Sequence, residues 1–397
     1  MVVVQSSKVP LPHPSSLSPP PHPHTTSILF EPFSLSLALT HSDSSLSLYP
    51  SFSPHSHSNS NSNSNSHSQT LTIPSPSSSS TFLLLQQPPT AVLFLVSSPH
   101  RSQILLRLYR LRRRDHPSFA RVSNVLCSHR DLRFEPSLGV LLDAKHGPAV
   151  KLAGSVNYFA LYALSSNKVW LFAVKDGDGG LRLTRCAVIE CARPVFSMSV
   201  SFGFLILGEE NGVRVFGLRR LVKGRSVKRF GNSKLLRNGN GGRGGSDVVN
   251  CNGDFEGRME RHGVVGVYYL IYAFLLSVKQ TNVKFKHDDR DGGSCFVVLK
   301  GKEVKTKSTT KVSMSIKAIS IQAVSQRMFL ILDSYGDLHL LCLSNSGIGV
   351  DITGNVRQLP RIMKVQSLTV LPDLSTNSFS QRIREKKEDR RTQKSGI

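Results

Sequence analysis

The chain reads as all-β, a β-propeller of four-stranded antiparallel blades, and three observations lead there. One strand–tight turn–strand unit recurs with the same shape, clearest as FLILGEENGVRVF (Phe204 to Phe216) and FLILDSYGDLHLL (Phe329 to Leu341). Each copy joins an apolar run, a short polar turn and a second strand, the pattern of a hairpin covered on both faces. Strand pairs dominate from Thr90 onward, with almost no stretch of helical period. From the SSN turn ending at Asn167 to the EENG turn at Asn211 is about 44 residues, the length of one four-stranded blade.

The elements follow in chain order. Residues 1 to 27 are rich in Pro, Ser and His (PLPHPSSLSPPPHPHTT), too polar to bury the apolar surface that ordering requires, and are expected to form a disordered arm. Its Ser richness and lack of acids are similar to an organelle transit peptide, but Lys8 is its only base, so organelle import is the minor alternative, and it shows no apolar core of a secretory signal. In LSLALTHSDSSLSLY, Leu35, Leu37 and Leu39 alternate with small residues, and Leu46 and Leu48 alternate again after a Ser-Asp turn, which predicts a hairpin. SPHSHSNSNSNSNSHS (53–68) and PSPSSSS (74–80) read as low-complexity loops. Strand pairs then follow: TAVLFLV with ILLRLYRL, GVLLDA with AVKLAG across KHGP, YFALYAL with KVWLFAV across SSN, and FLILG with VRVFGL across EENG. Asn167 and the Asn211-Gly212 pair suit the positive φ of tight hairpins.

Residues 28–218 are therefore the first part of the propeller, and 219–262 form a basic, Gly-rich insertion expected to be an exposed loop. Residues 263–374 resume the array, and 375–397 make a charged tail. VVGVYYLIYAFLLSV (264–278) is apolar throughout but short of the about 20 residues that span a membrane. A buried strand or helix is expected there, with a membrane anchor or a misjoined segment as alternatives. After VQSLTVLP no partner strand follows, so the last blade is expected either to be completed by the early strands near Ile28 to Leu39 or to stay open.

THSDSSLSLY, SSNKVWLFAV, EENGVRVFGL and SYGDLHLLCL resemble the corner between the third and fourth strands of WD-repeat propellers. Trp170 is followed by Leu171 where that family has Asp, and no Gly-His dipeptide opens a repeat. The resemblance covers about half the chain and implies an interaction scaffold rather than a chemistry.

The residues support that absence of chemistry. Six cysteines (Cys127, Cys186, Cys191, Cys251, Cys295, Cys342) show no CxxC pair and no His at zinc spacing, and read as reduced thiols. Gly239, Gly241 and Gly244 satisfy GxGxxG without the strand and helix a dinucleotide site needs. Asp176 and Asp178 in KDGDGGLR lack the later ligands of a calcium loop and read as a hairpin turn. His55, His57 and His67 sit in a polar tract where solvation is the simpler reading. No catalytic residue, cofactor or metal is implied.

Charge is the remaining signal. The formal net charge is +24, and the first hundred residues hold only Lys8, Glu31 and Asp43, so the basic residues lie downstream. The candidates are Arg110, Arg112, Arg113 and Arg114 at a strand end, and Arg219, Arg220, Lys223, Arg225, Lys228 and Arg229 in the insertion. Lys300, Lys302, Lys305 and Lys307 follow at strand-edge spacing. Such clusters serve as solvated surface, as nuclear-import signals or as phosphate contacts, although no aromatic residue interleaves them to stack bases. The expected function is a non-catalytic protein-binding platform in the nucleus or cytoplasm, its partner and oligomeric state left open. A nucleic-acid-associated factor is the first alternative and a membrane-anchored protein the second.

Overall fold

A computed structural model describes residues 23–52, 70–86, 90–113, 116–147, 149–177, 179–223, 294–299, 315–345, 352–360 and 364–369. The first sheet is a meander of β1 (Thr25–Glu31), β2 (Ser36–His41), β3 (Leu46–Tyr49) and β4 (Leu71–Ile73). The second is built on β5 (Ser79–Leu85), β6 (Ala91–His100) and β7 (Gln103–Arg112). Four short strands follow it: β8 (Ser118–Arg121), β9 (Val125–Cys127), β10 (Leu132–Glu135) and β11 (Gly139–Leu142). β7 is long enough to pair with β11 along its first half and with β8 along its second. The third sheet comprises β12 (Val150–Gly154), β13 (Tyr158–Ala163), β14 (Lys168–Gly177) and β15 (Gly180–Glu190). β9 adds to the outer edge of β15 in parallel, so the extension of the second sheet is stitched into the third.

The fourth sheet runs β16 (Ser197–Ser201), β17 (Phe204–Glu209) and β18 (Gly212–Gly217). A short helix α1 (Leu218–Lys223) follows, and the sheet is closed by β19 (Ser294–Val298), paired antiparallel with β18. The fifth sheet is β20 (Ala318–Ser325), β21 (Met328–Asp333), β22 (Leu338–Asn345) and β23 (Ile352–Gln358).

The packing makes these sheets propeller blades. The first strand of each sheet touches the first strand of the next: β1 meets β5, β5 meets β12, β12 meets β16 and β16 meets β20. An apolar cluster fills each space between neighbouring sheets. Phe94, Tyr109 and Phe119 pack on Leu46 and Leu48, and Phe159 and Phe172 pack on Leu83 and Leu95. Val200 and Leu205 pack on Tyr162 and Leu171, and Ile206 and Val215 on Phe329 and Ile331. A strand buried on both faces reads as a continuous apolar run, which is why FLILGE and MFLILD recur.

Inner strands that crowd together leave backbone groups that water cannot reach, and small hydroxyl residues satisfy them. Leu152 N donates to Ser79 Oγ (2.9 Å) and Gly154 N to Thr81 Oγ1 (2.8 Å), joining β12 to β5. Ser197 Oγ donates to Ala318 O (2.6 Å), joining β16 to β20. A Cβ on Gly154 would stand 2.1 Å from Phe82 O, so the same approach demands glycine.

Several expectations are corrected here. Ser79 and Ser80 belong to an inner strand, where the Ser79 hydroxyl accepts from an amide of the next sheet. The KHGP stretch does not join a hairpin: β11 turns back onto β7 and β12 pairs with β13, so this segment crosses between blades. Residues 25–27 are strand, not arm, and Leu35 lies in a turn. The insertion begins as a helical turn rather than a loop. The early strands do not complete the last blade, since β1 to β4 form a sheet of their own and β20 to β23 are already four. Residues 224–293, including the apolar run 264–278, lie outside the described residues.

Two measurements follow. Circular dichroism of the chain should show mainly β signal, with helix far below the roughly one-third of an ordinary globular protein. Gly154→Ala should lower the unfolding free energy by about 1–3 kcal/mol, as overpacking does elsewhere, read as a shift in the urea midpoint at unchanged slope.

Candidate interaction face

These corners join the second strand of each blade to the third, not the third to the fourth as the resemblance implies, and in four of the five described blades a polar pair locks the corner. In the first blade His41 Nε2 and Ser47 Oγ lie 2.8 Å apart, both buried. In the third, Tyr162 Oη donates to Asn167 Oδ1 (2.8 Å) and accepts from Val195 N (3.2 Å). In the fourth, Arg214 Nε donates to Glu209 Oε1 at 2.8 Å. In the fifth, His339 Nε2 donates to Asp333 Oδ2 at 2.9 Å, with both side chains no more than 3% exposed. Ser44, Asn167, Asn211 and Gly336 hold these corners at φ of 65°, 50°, 61° and 79°, the left-handed region that Asn and Gly enter most readily. The backbone there also docks the incoming chain: Ser77 N, Cys191 N and Val365 N donate to the carbonyls of Ser44, Asn167 and Gly336.

Burial would raise the Asp333 carboxyl. The hydrogen bonds from His339 and from the amides of Asp337 and Tyr335 outweigh it and hold the carboxyl below the usual carboxylate value. A buried acid–base pair of this kind looks like chemistry in a sequence. Here it is sealed inside a turn. The half-buried thiols behave likewise: burial pushes Cys127 and Cys191 up to about 11, far from a reactive thiolate.

Leu164 and Tyr335 are exposed at these corners, and the opposite ends of the strands expose apolar residues as well. Antiparallel order places every first-to-second strand turn, and the end of every third strand, on this lower face. Glu31 shapes the turn after β1: its carboxylate accepts from Phe33 N (3.0 Å), from Ser34 N (2.6 Å) and from the Ser34 hydroxyl. That leaves Phe33 44% and Leu35 39% exposed, with Leu35 at φ 58°. The turn after β16 repeats the arrangement, with Phe202 44% exposed at φ 50°. Leu218 N donates to Gly203 O (2.8 Å), which sets the start of α1 beside that turn.

The basic candidates divide between roles. Arg110 lies 2.6 Å from Asp176 and bridges the second and third blades, so it serves packing; the Asp176 turn is the hairpin expected for it. Arg112 and Arg113 are exposed on the lower face, and the Arg113 guanidinium sits 4.5 Å over the Phe33 ring. Arg219 is exposed and Arg220 half-buried on α1, which ends at Lys223. Arg114, Arg225, Lys228, Arg229 and the lysines at 300, 302, 305 and 307 lie outside the described residues, as do the glycine triplet and His55, His57 and His67. The aromatic partners missing from the linear sequence are thus supplied by folding, from a turn 80 residues away in the case of Arg113. Exposed Phe33 and Phe202 carried the signal, legible once a turn is assigned to them.

Sign of charge separates the two faces among the described residues. The upper corners mix Asp43, Glu190 and Glu210 with Arg101, Lys145 and Lys317. The lower face presents Arg112, Arg113, Lys175, Arg182, Arg219, Arg220 and Arg327, whereas its acids Glu31 and Asp176 are engaged with Ser34 and Arg110. Among the described residues no group of three or more His, Cys, Asp or Glu is placed to hold a metal, and no helix is long and apolar enough to cross a membrane.

No known family and no curated protein matches the sequence. Among solved structures, Hsv2 of the yeast Kluyveromyces marxianus overlays at 10% identity with a TM-score of 0.33, covering 83% of each chain. Hsv2 of Kluyveromyces lactis overlays at 10% identity and TM-score 0.28, covering 83% of this chain and 97% of that one. The propeller assignment rests on strand order and blade packing, not on these overlays.

The corner lock yields a pH prediction. A depressed folded pKa gives stability that is present above the unfolded value of about 4 and is lost as pH falls through the folded pKa. Asp333→Asn should therefore cost about 1–3 kcal/mol near neutrality, and its deficit against the parent should shrink as pH falls below about 4, read from urea midpoints.

Proposed function

We propose that the protein is a non-catalytic binding platform whose partner is another protein. One observation carries this reading: the Asp333–His339 pair is sealed in a corner turn, whereas Phe33, Leu35 and Phe202 are left exposed on a face that also presents arginines. A rigid array of blades that presents loops at its ends suits recognition rather than bond-breaking. The nucleus and cytoplasm are the proposed compartments, on the strength of the short basic runs at 110–114 and 219–229. A fluorescent fusion should appear there, and processing of the N-terminal segment inside an organelle, or release from membranes by detergent alone, would reverse the compartment. An affinity-tagged chain should capture proteins from native lysate equally with and without nuclease; capture abolished by nuclease would overturn the platform reading.

A second reading, association with nucleic acid, is favoured by the arginines exposed on the lower face. If Arg219, Arg220, Lys223, Arg225, Lys228 and Arg229 contact phosphates, binding should weaken steeply with salt through counterion release. Replacing all six with Ser should flatten that slope while leaving the β signal unchanged. A variant that binds RNA or DNA as well as the parent at every salt concentration eliminates this reading.

A further inference from the structure

We infer that the lower face around Phe33, Leu35, Arg112 and Arg113 is a docking surface for an acidic peptide segment that carries apolar side chains. The inference rests on the platform reading and names the chemistry of its partner. Leu35 is unfavourable twice over where it stands. Its side chain is exposed, and its φ of 58° is one that glycine or asparagine would adopt at less strain. Phe202 repeats both features in the fourth blade. A turn chosen for stability alone would hold Gly or Asn at these positions, as Asn157 does at φ 60° in the corresponding turn of the third blade. Retaining large apolar groups at strained turns fits a surface that is covered when the protein works.

The occupant follows from shape and charge. Phe33 and Leu35 are each more than half covered, Phe33 in part by Arg113 of the next blade, so they lie against the surface rather than projecting as an anchor. That suits a docked side chain better than insertion into a bilayer, which needs apolar groups buried about 5–10 Å deep. Arg113 already lies against the Phe33 ring, and Leu35 offers no face for stacking, which disfavours a nucleobase. The rim is arginine, and the neighbouring carboxylates are engaged, so a complementary segment is acidic.

The test titrates the full chain with a fluorescein-labelled peptide alternating Glu with Phe and Leu. Polyglutamate, polyuridine and vesicles of phosphatidylcholine with phosphatidylserine serve as competitors. The peptide should bind, and Phe33→Ser with Leu35→Gly should weaken it by about tenfold or more. The thermal midpoint should hold or rise, because glycine relieves the turn. Arg112→Glu with Arg113→Glu should weaken it similarly and reduce its salt dependence. Unchanged affinity in both double variants overturns the inference, as does competition by polyglutamate as strong as by the unlabelled peptide. Displacement by polyuridine or vesicles at lower concentration than by the unlabelled peptide overturns it in favour of nucleic acid or membrane. Lysate capture separates this surface from the platform reading. Proteins captured equally by parent and both variants leave the platform standing and remove this surface. Failure of the parent to capture any protein removes the platform, while the peptide titration still decides the surface.

Discussion

Everything in this fold depends on bringing inner strands side by side around an axis. The ends of a four-stranded sheet can face water, but its innermost strand cannot, and its backbone needs partners that a neighbouring blade must supply. The hydroxyls of Ser79, Thr81 and Ser197 are those partners, and Gly154 lets the strands approach closely enough to use them. An unsatisfied buried amide costs about 1–3 kcal/mol, so a few such bonds rival the stability margin of a whole domain. Apolar clusters between blades then add mass to a geometry that polar contacts have already fixed.

The corner pairs act at right angles to that seam. Each ties a second strand to a third within one blade, and the same turn receives the chain on its way to the next blade. Different residues perform this work in the four blades that carry such a pair: His with Ser, Tyr with Asn, Glu with Arg and Asp with His. What repeats is a position and a need for a hydrogen bond, so the corners share a shape without sharing residues.

The hairpins were legible because both signals are local: apolar runs on either side, and Asn or Gly where φ turns positive. β5 was not legible, since a serine run looks like a flexible tract until another sheet stands against it. The strands β8, β9 and β10 escaped for a similar reason: β8 pairs with β7, β9 with β15 of the next blade and β10 with β11, relations without a sequence period. The basic candidates were visible as charges, but not their fates. Arg110 meets an aspartate 66 positions away, and Arg113 meets a ring 80 positions away, so one becomes a tie between blades and the other part of a surface.

The fourth blade is closed by a strand that arrives late. β18 ends at Gly217 and its partner begins at Ser294. Closure entropy grows only logarithmically with loop length, about 0.6 kcal/mol per doubling, so the finished sheet scarcely registers how long the excursion is. Synthesis registers it fully. At roughly 5–20 residues per second, the edge of β18 waits several seconds on the ribosome with its amides and carbonyls unpaired. During that interval the nascent chain presents a bare strand edge, and whatever protects it, whether a chaperone or the chain's own upstream segments, acts before the blade exists.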